Sequence, residues 1–156
     1  LFGSINESEI KDNVQTGNCT ADDLTDGVAQ CTAIGDPIFA LTAGKNESGA
    51  PLWTVGARVQ QRFGDFELGA QVKHTGKRWV NDTNERSVGG YTLVDLDLRW
   101  TITQNPFGDD VALQLNVTNL FDELYVGGFG GDLDGNSPFV QIGAPRAASI
   151  SLIFGY

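Results

Sequence analysis

The sequence repeats one pattern: apolar residues at every second position, sustained over long runs. Over Arg146–Tyr156, the residues Tyr156, Phe154, Leu152, Ile150 and Ala148 are apolar, while Gly155, Ser151, Ser149 and Ala147 between them are small or polar and only Ile153 breaks the rule. A period of two makes a strand with one greasy face. Val111–Phe121 sets Val111, Leu113, Leu115 and Val117 against Ala112, Gln114, Asn116 and Thr118. Thr92–Ile102 sets Val94, Leu96, Leu98, Trp100 and Ile102 against Asp95, Asp97 and Arg99. Phe66–His74 opposes Phe66, Leu68, Ala70 and Val72 to Glu67, Gln71 and Lys73, and Trp53–Phe63 opposes Trp53, Val55, Ala57, Val59 and Phe63 to Thr54, Arg58, Gln60 and Arg62. These runs exceed the roughly 5–6 residues usual in a soluble strand. In a soluble barrel the apolar face would point inward. Here the polar face carries charges of both signs, which suits a water-filled lumen with the apolar face outside in lipid.

The connections carry independent information. Gly64-Asp65 is a tight hairpin signal. Residues 103–110, with Asn105-Pro106 and Gly108-Asp109, read as a short turn. Between them lie long segments at 11–50, 80–90 and 128–143, rich in Gly, Asn and Asp. Outer-membrane barrels have short periplasmic turns and long extracellular loops, with aromatic girdles at both interfaces. A closing strand at 144–156 that runs inward puts both short turns on the periplasmic side and all three long segments outside. Leu1–Ile10 reads as an outgoing strand of poor alternation, 11–50 as a large outer loop, and Pro37–Thr42 as a short strand within it. The expected fold is all-β, an antiparallel transmembrane barrel.

Composition narrows the partners. The net charge of -10 argues against nucleic acid, because phosphate binding needs basic surface. Residues 7–26 and 122–134 hold much of the acid, which reads as acidic loops on an apolar-faced scaffold. No apolar run approaches the roughly 18 residues of a membrane helix, whereas barrel strands need only about 9–11 alternating ones. No Met occurs, even at position 1, and no leader-like segment opens the chain, so it reads as processed or partial. The two cysteines, Cys19 and Cys31, have no histidine near them. A loop disulfide in an oxidising compartment is the simpler reading, beside two free thiols.

Two motifs resemble a known family. Leu113–Tyr125 contains Asn119, Leu120, Phe121, Asp122 and Tyr125 in the spacing Asn-Leu-Phe-Asp-x-x-Tyr, and Gly143, Pro145 and Arg146 form a Gly-x-Pro-Arg entry to a last strand ending in Phe154 and Tyr156. Together they resemble the C-terminal end of TonB-dependent outer-membrane receptors, although the last residue is Tyr156 where Phe is commoner. Pro51–Trp79 looks like preceding strands of the same barrels. The resemblance covers about the last hundred residues. It implies a 22-stranded barrel, of which this chain would hold about the last six strands, plugged by an N-terminal domain absent here. It further implies import of a scarce small-molecule ligand such as a ferric siderophore. The expected partners are the TonB complex through the absent N-terminal part, outer-membrane lipid and lipopolysaccharide, and the barrel-assembly machinery through the C-terminal strand. Six strands leave two unpaired edges, which lipid does not tolerate, so a longer polypeptide is expected.

No catalytic, cofactor or metal site is expected. His74, the one histidine, shares the face of Phe66, Leu68 and Val72 near the outer interface, and no positioned Ser-His-Asp set with Ser87 follows from spacing. Arg78 reads as a solvated flank or a contact for lipopolysaccharide phosphate. Asp132-x-Asp134-x-Asn136 has the oxygen spacing of a calcium loop, but Ser137 and Gly143 stand where Gly and a closing acid belong, which favours a plain acidic loop. The Asn-x-Ser/Thr sites at Asn6, Asn18, Asn46, Asn81 and Asn116 read as chance, since a glycan at Asn116 would not fit in a lumen. Most aromatics suit membrane-interface belts. The ligand-contact candidates are Phe129, Asp132 and Phe139. Two other architectures fit the pattern: a small closed barrel of about eight strands, needing two more strands within 1–50, and a secreted β-sandwich binding module with Val94, Leu96, Leu98 and Trp100 in its core.

Overall fold

A computed structural model describes residues 1–103, 111–130 and 139–155. In chain order the elements are β1 (Phe2–Ile5), β2 (Val14–Asn18), α1 (Ala21–Thr25), β3 (Pro37–Ala40), β4 (Trp53–Phe63), β5 (Phe66–Thr75), β6 (Arg78–Trp79), β7 (Ser87–Val88), β8 (Tyr91–Ile102), β9 (Val111–Thr118), β10 (Val126–Gly130), β11 (Phe139–Ile142) and β12 (Ala147–Phe154). Six of them form one antiparallel sheet in the order β1-β4-β5-β8-β9-β12. The sheet is open, with β1 and β12 as its edges. Residues 1–50 give it only β1, because β2 and β3 pair with each other. An eight-stranded closed barrel is therefore not what this chain builds.

The alternating runs fall on these strands in a continuous register. One row crosses the sheet through Phe63, Phe66, Trp100, Leu113 and Leu152, and another through Val59, Ala70, Leu96, Val117 and Ala148. The neighbouring polar row runs Gln60, Gly69, Asp97, Asn116 and Ser149. Pairing without a slip keeps each face uniform, since a one-residue shift would exchange the faces. Gly64 makes the β4–β5 loop possible. It takes φ 59° at the first central position, where a two-residue II′ turn requires a positive angle.

The apolar face is left open. Val59 is 66% exposed and Ile150 68%, with Leu68, Leu115 and Leu152 also exposed between them. That is the inverse of a sandwich core. Stacked Phe66 and Trp100, 5.6 Å apart, mark one end of the face, and stacked Trp53 and His74, 4.7 Å apart, mark the other. From Trp53 to Phe63, β4 has 11 residues. At about 3.3 Å per residue and a tilt of roughly 40° these rise about 25 Å, the height of the apolar band of a transmembrane barrel.

The described residues of the three long segments carry structure of their own. In the first, β2 and β3 make a ribbon, α1 lies between them in the chain, and Cys19 is bonded to Cys31. Thr20 and Asp23 cap α1 reciprocally. Thr20 lowers the Asp23 carboxyl below the ordinary range through its hydroxyl and its backbone N–H. Thr32, chiefly through its hydroxyl, and the Ala33 N–H do the same for Asp36. The second segment is knit to the first: Asn84 Nδ2 donates to the Asn46 carbonyl at 2.7 Å, Asn84 Oδ1 accepts from the Asn46 N–H at 2.8 Å, and Asp82 accepts from the Ser48 N–H at 2.9 Å. The third carries the β10–β11 ribbon.

Candidate functional site at the loop-bearing end and charged face

The charged face is an interlocked array. Arg58 on β4 reaches across β5 to Asp97 on β8, with Nη2 and Oδ1 2.8 Å apart. Asp97 stands opposite Gly69 on β5, two positions from the Gln71 that faces Arg58, and any Cβ on Gly69 would collide with the Asp97 carboxylate. Gln60 donates to Glu67 at 2.5 Å. Arg62, Glu67 and Arg99 then line a cleft of about 330 Å³ with Thr101 and Ala112. Alternating charges one strand apart give a surface that can hold a polar occupant by many weak contacts.

The two sequence motifs meet at the other end of β9. Asn119 is 4% exposed and adopts φ 50°, a left-handed conformation that Asn tolerates better than most residues. Its Nδ2 donates to the carbonyls of Glu123 (3.0 Å) and Ala144 (3.1 Å), and its Oδ1 accepts from the Glu123 N–H (2.8 Å). Asp95 on β8 accepts from the Asn119 N–H at 2.9 Å, and the Leu120 N–H donates to the Val94 carbonyl. Asp122, at φ 56°, accepts from the Arg146 N–H at 2.8 Å. Tyr125 stacks on Tyr91 at 4.3 Å and lies over Gly143, where a Cβ would enter its ring. The chain thus closes a tight turn after β9 and bonds it to the entry of β12. Phe121 is 73% exposed and takes no part in the turn's hydrogen bonds. Tyr156 and Asp132 lie outside the described residues, as do the spacing Asp132-x-Asp134-x-Asn136 and most of the turn at 103–110.

Arg78 corrects the reading from sequence. It is 7% exposed and is neither a solvated flank nor open to a lipid phosphate. Its Nη1 donates to the Gly127 carbonyl at 3.2 Å and its Nη2 to the Val126 carbonyl. The guanidinium faces the rings of Tyr91 (5.6 Å) and Phe129 (5.2 Å). Phe129 is therefore engaged with Arg78, whereas Phe139 on β11 is 66% exposed. His74 Nδ1 lies 2.8 Å from the Thr92 hydroxyl, and Ser87 sits opposite Trp79 in the β6–β7 pair. Asn81, one of the sequon asparagines, is 1% exposed, and its Oδ1 accepts the Glu85 and Arg86 N–H groups at 3.1 Å. A sequence gives no sign of Arg78's burial, since its partners lie almost fifty positions away.

Residues 18–120 match the family model described as "TonB dependent receptor-like, beta-barrel". The chain belongs to the TonB-dependent receptors. A ferrioxamine receptor of Yersinia enterocolitica is 35% identical over 78 residues, which is 49% of this chain and 10% of that protein. The solved siderophore receptor PiuA of Acinetobacter baumannii superposes with a TM-score of 0.64 at 20% identity, over 81% of this chain and 17% of that one. FpvA of P. aeruginosa, solved in complexes with pyoverdines, superposes at 0.54 with 25% identity, over 70% of this chain and 15% of that one. The chain therefore spans less than a fifth of the length of these relatives.

TonB-dependent receptors are outer-membrane β-barrel proteins of Gram-negative bacteria, and that membrane is where this receptor chain resides. The relatives are receptors and not enzymes. The sheet presents an open apolar face on one side and a charged face on the other. The Cys19–Cys31 bond suits the oxidising side of the cell envelope. In this receptor the Asn119 and Gly143 motifs do structural work at the wall's end, which explains their residue types without invoking ligand contact.

Proposed function

We propose that the chain is the C-terminal wall of an outer-membrane active importer of a scarce nutrient, a siderophore-like iron chelate being the leading class. The supporting observation is the two-faced sheet: an exposed apolar band about 25 Å tall backed by the Arg58–Asp97 and Gln60–Glu67 array. In this reading the six strands are the last of a 22-stranded barrel, and residues 11–50, 80–90 and 128–143 form outer loops. A plug domain from the rest of the polypeptide fills the lumen against the charged face. Energy arrives from the TonB complex through that N-terminal part, and the chain itself performs no bond chemistry. Lipid and lipopolysaccharide surround the apolar face, and β12 is the strand offered to the barrel-assembly machinery. The likeness to a ferrioxamine receptor makes ferric hydroxamates the first ligands to try. The test is radio-iron uptake by cells that lack their own receptors and express the full-length protein, with and without a working TonB. TonB-dependent uptake from a panel of ferric chelates supports the reading. Equal uptake in the two backgrounds, or none from any chelate by correctly assembled protein, contradicts it.

A further inference from the structure

The side chain of Asn81 is buried, yet all its hydrogen bonds stay within its own segment. Its Nδ2 donates to the Thr83 hydroxyl at 2.6 Å, and its Oδ1 accepts the Glu85 and Arg86 N–H groups. The Asn81 carbonyl accepts from the Asn84 N–H at 3.0 Å, and the Val80 N–H donates to the Arg86 carbonyl at 2.9 Å. With Asn84 at φ 58°, these bonds fold 80–86 into one turn between the paired β6 and β7. A buried amide satisfied at both ends fixes such a turn, and its truncation leaves the partners unpaired.

The groups on either side of Asn81 grip two other parts of the chain. Toward the first long segment, the Asn84 amide brackets the Asn46 N–H and carbonyl, and Asp82 accepts from the Ser48 N–H. The Trp79 and Lys77 carbonyls accept from the Gly49 N–H at 2.9 Å and the Leu52 N–H at 3.2 Å, and Pro51 bridges to Arg78. Toward the third, the Arg78 guanidinium donates to the Val126 and Gly127 carbonyls. Among the described residues no hydrogen bond joins 44–52 directly to 126–130. The hydrogen-bonded link between them runs through 77–84.

We propose that Asn81 is the positioning residue that couples the turn at 46–49 to the base of β10, although its side chain bonds neither. By fixing 80–86 it sets Asp82 and Asn84 against Asn46 and Ser48, and it holds the β6–β7 pair from which Arg78 reaches Val126 and Gly127. Such coupling is reciprocal, so whatever steadies the 46–49 turn also steadies the base of β10. This inference does not depend on which ligand the receptor takes.

The test is hydrogen exchange measured by mass spectrometry on the full-length receptor in detergent. In Asn81→Ala, exchange rises by about tenfold or more in both 46–52 and 126–130, with β4, β5 and β8 unchanged. Asn84→Ala cuts one arm and raises exchange in 46–52 alone, and Arg78→Gln cuts the other and raises it in 126–130 alone. Asn81→Asp keeps the acceptor for Glu85 and Arg86 and gives a smaller rise on both sides. Thr83→Val removes the partner of the Asn81 amide and raises exchange on both sides by about threefold, so it carries the test if Asn81→Ala does not assemble. A rise confined to 80–86 in these Asn81 and Thr83 variants overturns the coupling. A rise that spreads through β4, β5 and β8 also overturns it, since Asn81 would then support the sheet as a whole.

Discussion

The side-chain amide of Asn119 joins the end of β9 to the entry of β12, donating to the Ala144 carbonyl at 3.1 Å while its second N–H bonds the Glu123 carbonyl at 3.0 Å. Asn119 satisfies its amide donors inside the protein and holds a left-handed backbone at the same time. Asn119→Ala removes both and leaves three part-buried backbone groups without their partner, so thermal or denaturant unfolding in detergent should show a loss of about 1–3 kcal/mol. Asn119→Gly keeps the backbone freedom and should recover about 1 kcal/mol of that loss.

Asp97 lies over Gly69 and bonds Arg58, which stands diagonally beyond β5. Gly69→Ala must push the carboxylate off its seat and so break the ion pair without touching either charge. Because the pair is partly exposed, a double-mutant cycle on Arg58 and Asp97 should give about 0.5–1 kcal/mol, falling as salt is added. In the Gly69→Ala background the same cycle should give close to zero.

The loop between Cys19 and Asp36 should loosen in acid. Asp23 and Asp36 both have carboxyls held below the ordinary value by hydrogen bonds from Thr20 and from Thr32 and Ala33. A depressed folded value means that the stabilisation is fully present above the unfolded value, about 3.9, and is lost as pH falls through the lowered folded one. An acid-active protease should therefore cut this loop faster below about pH 4 than a pH-independent control site. Asp23→Asn with Asp36→Asn should flatten that dependence. Reducing the disulfide should loosen the same loop at neutral pH, where both carboxylates are ionised.

The strands were legible because alternation is local. Trp53–Phe63 and the Gly64-Asp65 turn need only their own neighbours to be read, and both appear with those bounds. The cysteines were legible because the chain has only two. The contents of the long segments were not, because β2, β6, β7, β10 and β11 are short and their pairing partners are set by register. Arg78 was misread for the same reason: a charged residue beside Trp79 gives no hint that two carbonyls and two rings will enclose it. The Asn119 stretch was recognised as a motif, but its purpose appears only when Glu123 and Ala144 are brought to one amide. The signal available earlier was Asn119 and Asp122 just past a strand end, two residues that tolerate positive φ.

The central claim is that one face of this sheet meets lipid and the other does not. Single spin labels placed in turn from Val94 to Trp100 in the full-length receptor in bilayers test it, with collision rates measured for lipid-soluble oxygen and for a water-soluble nickel complex. Both cysteines of this chain are in the disulfide, and any free cysteine elsewhere in the full-length receptor is replaced by serine, so that each introduced cysteine is labelled alone. The account predicts oxygen maxima at Val94, Leu96, Leu98 and Trp100 and minima at Asp95, Asp97 and Arg99. Oxygen maxima on the charged residues, or no alternation along β8, would contradict it.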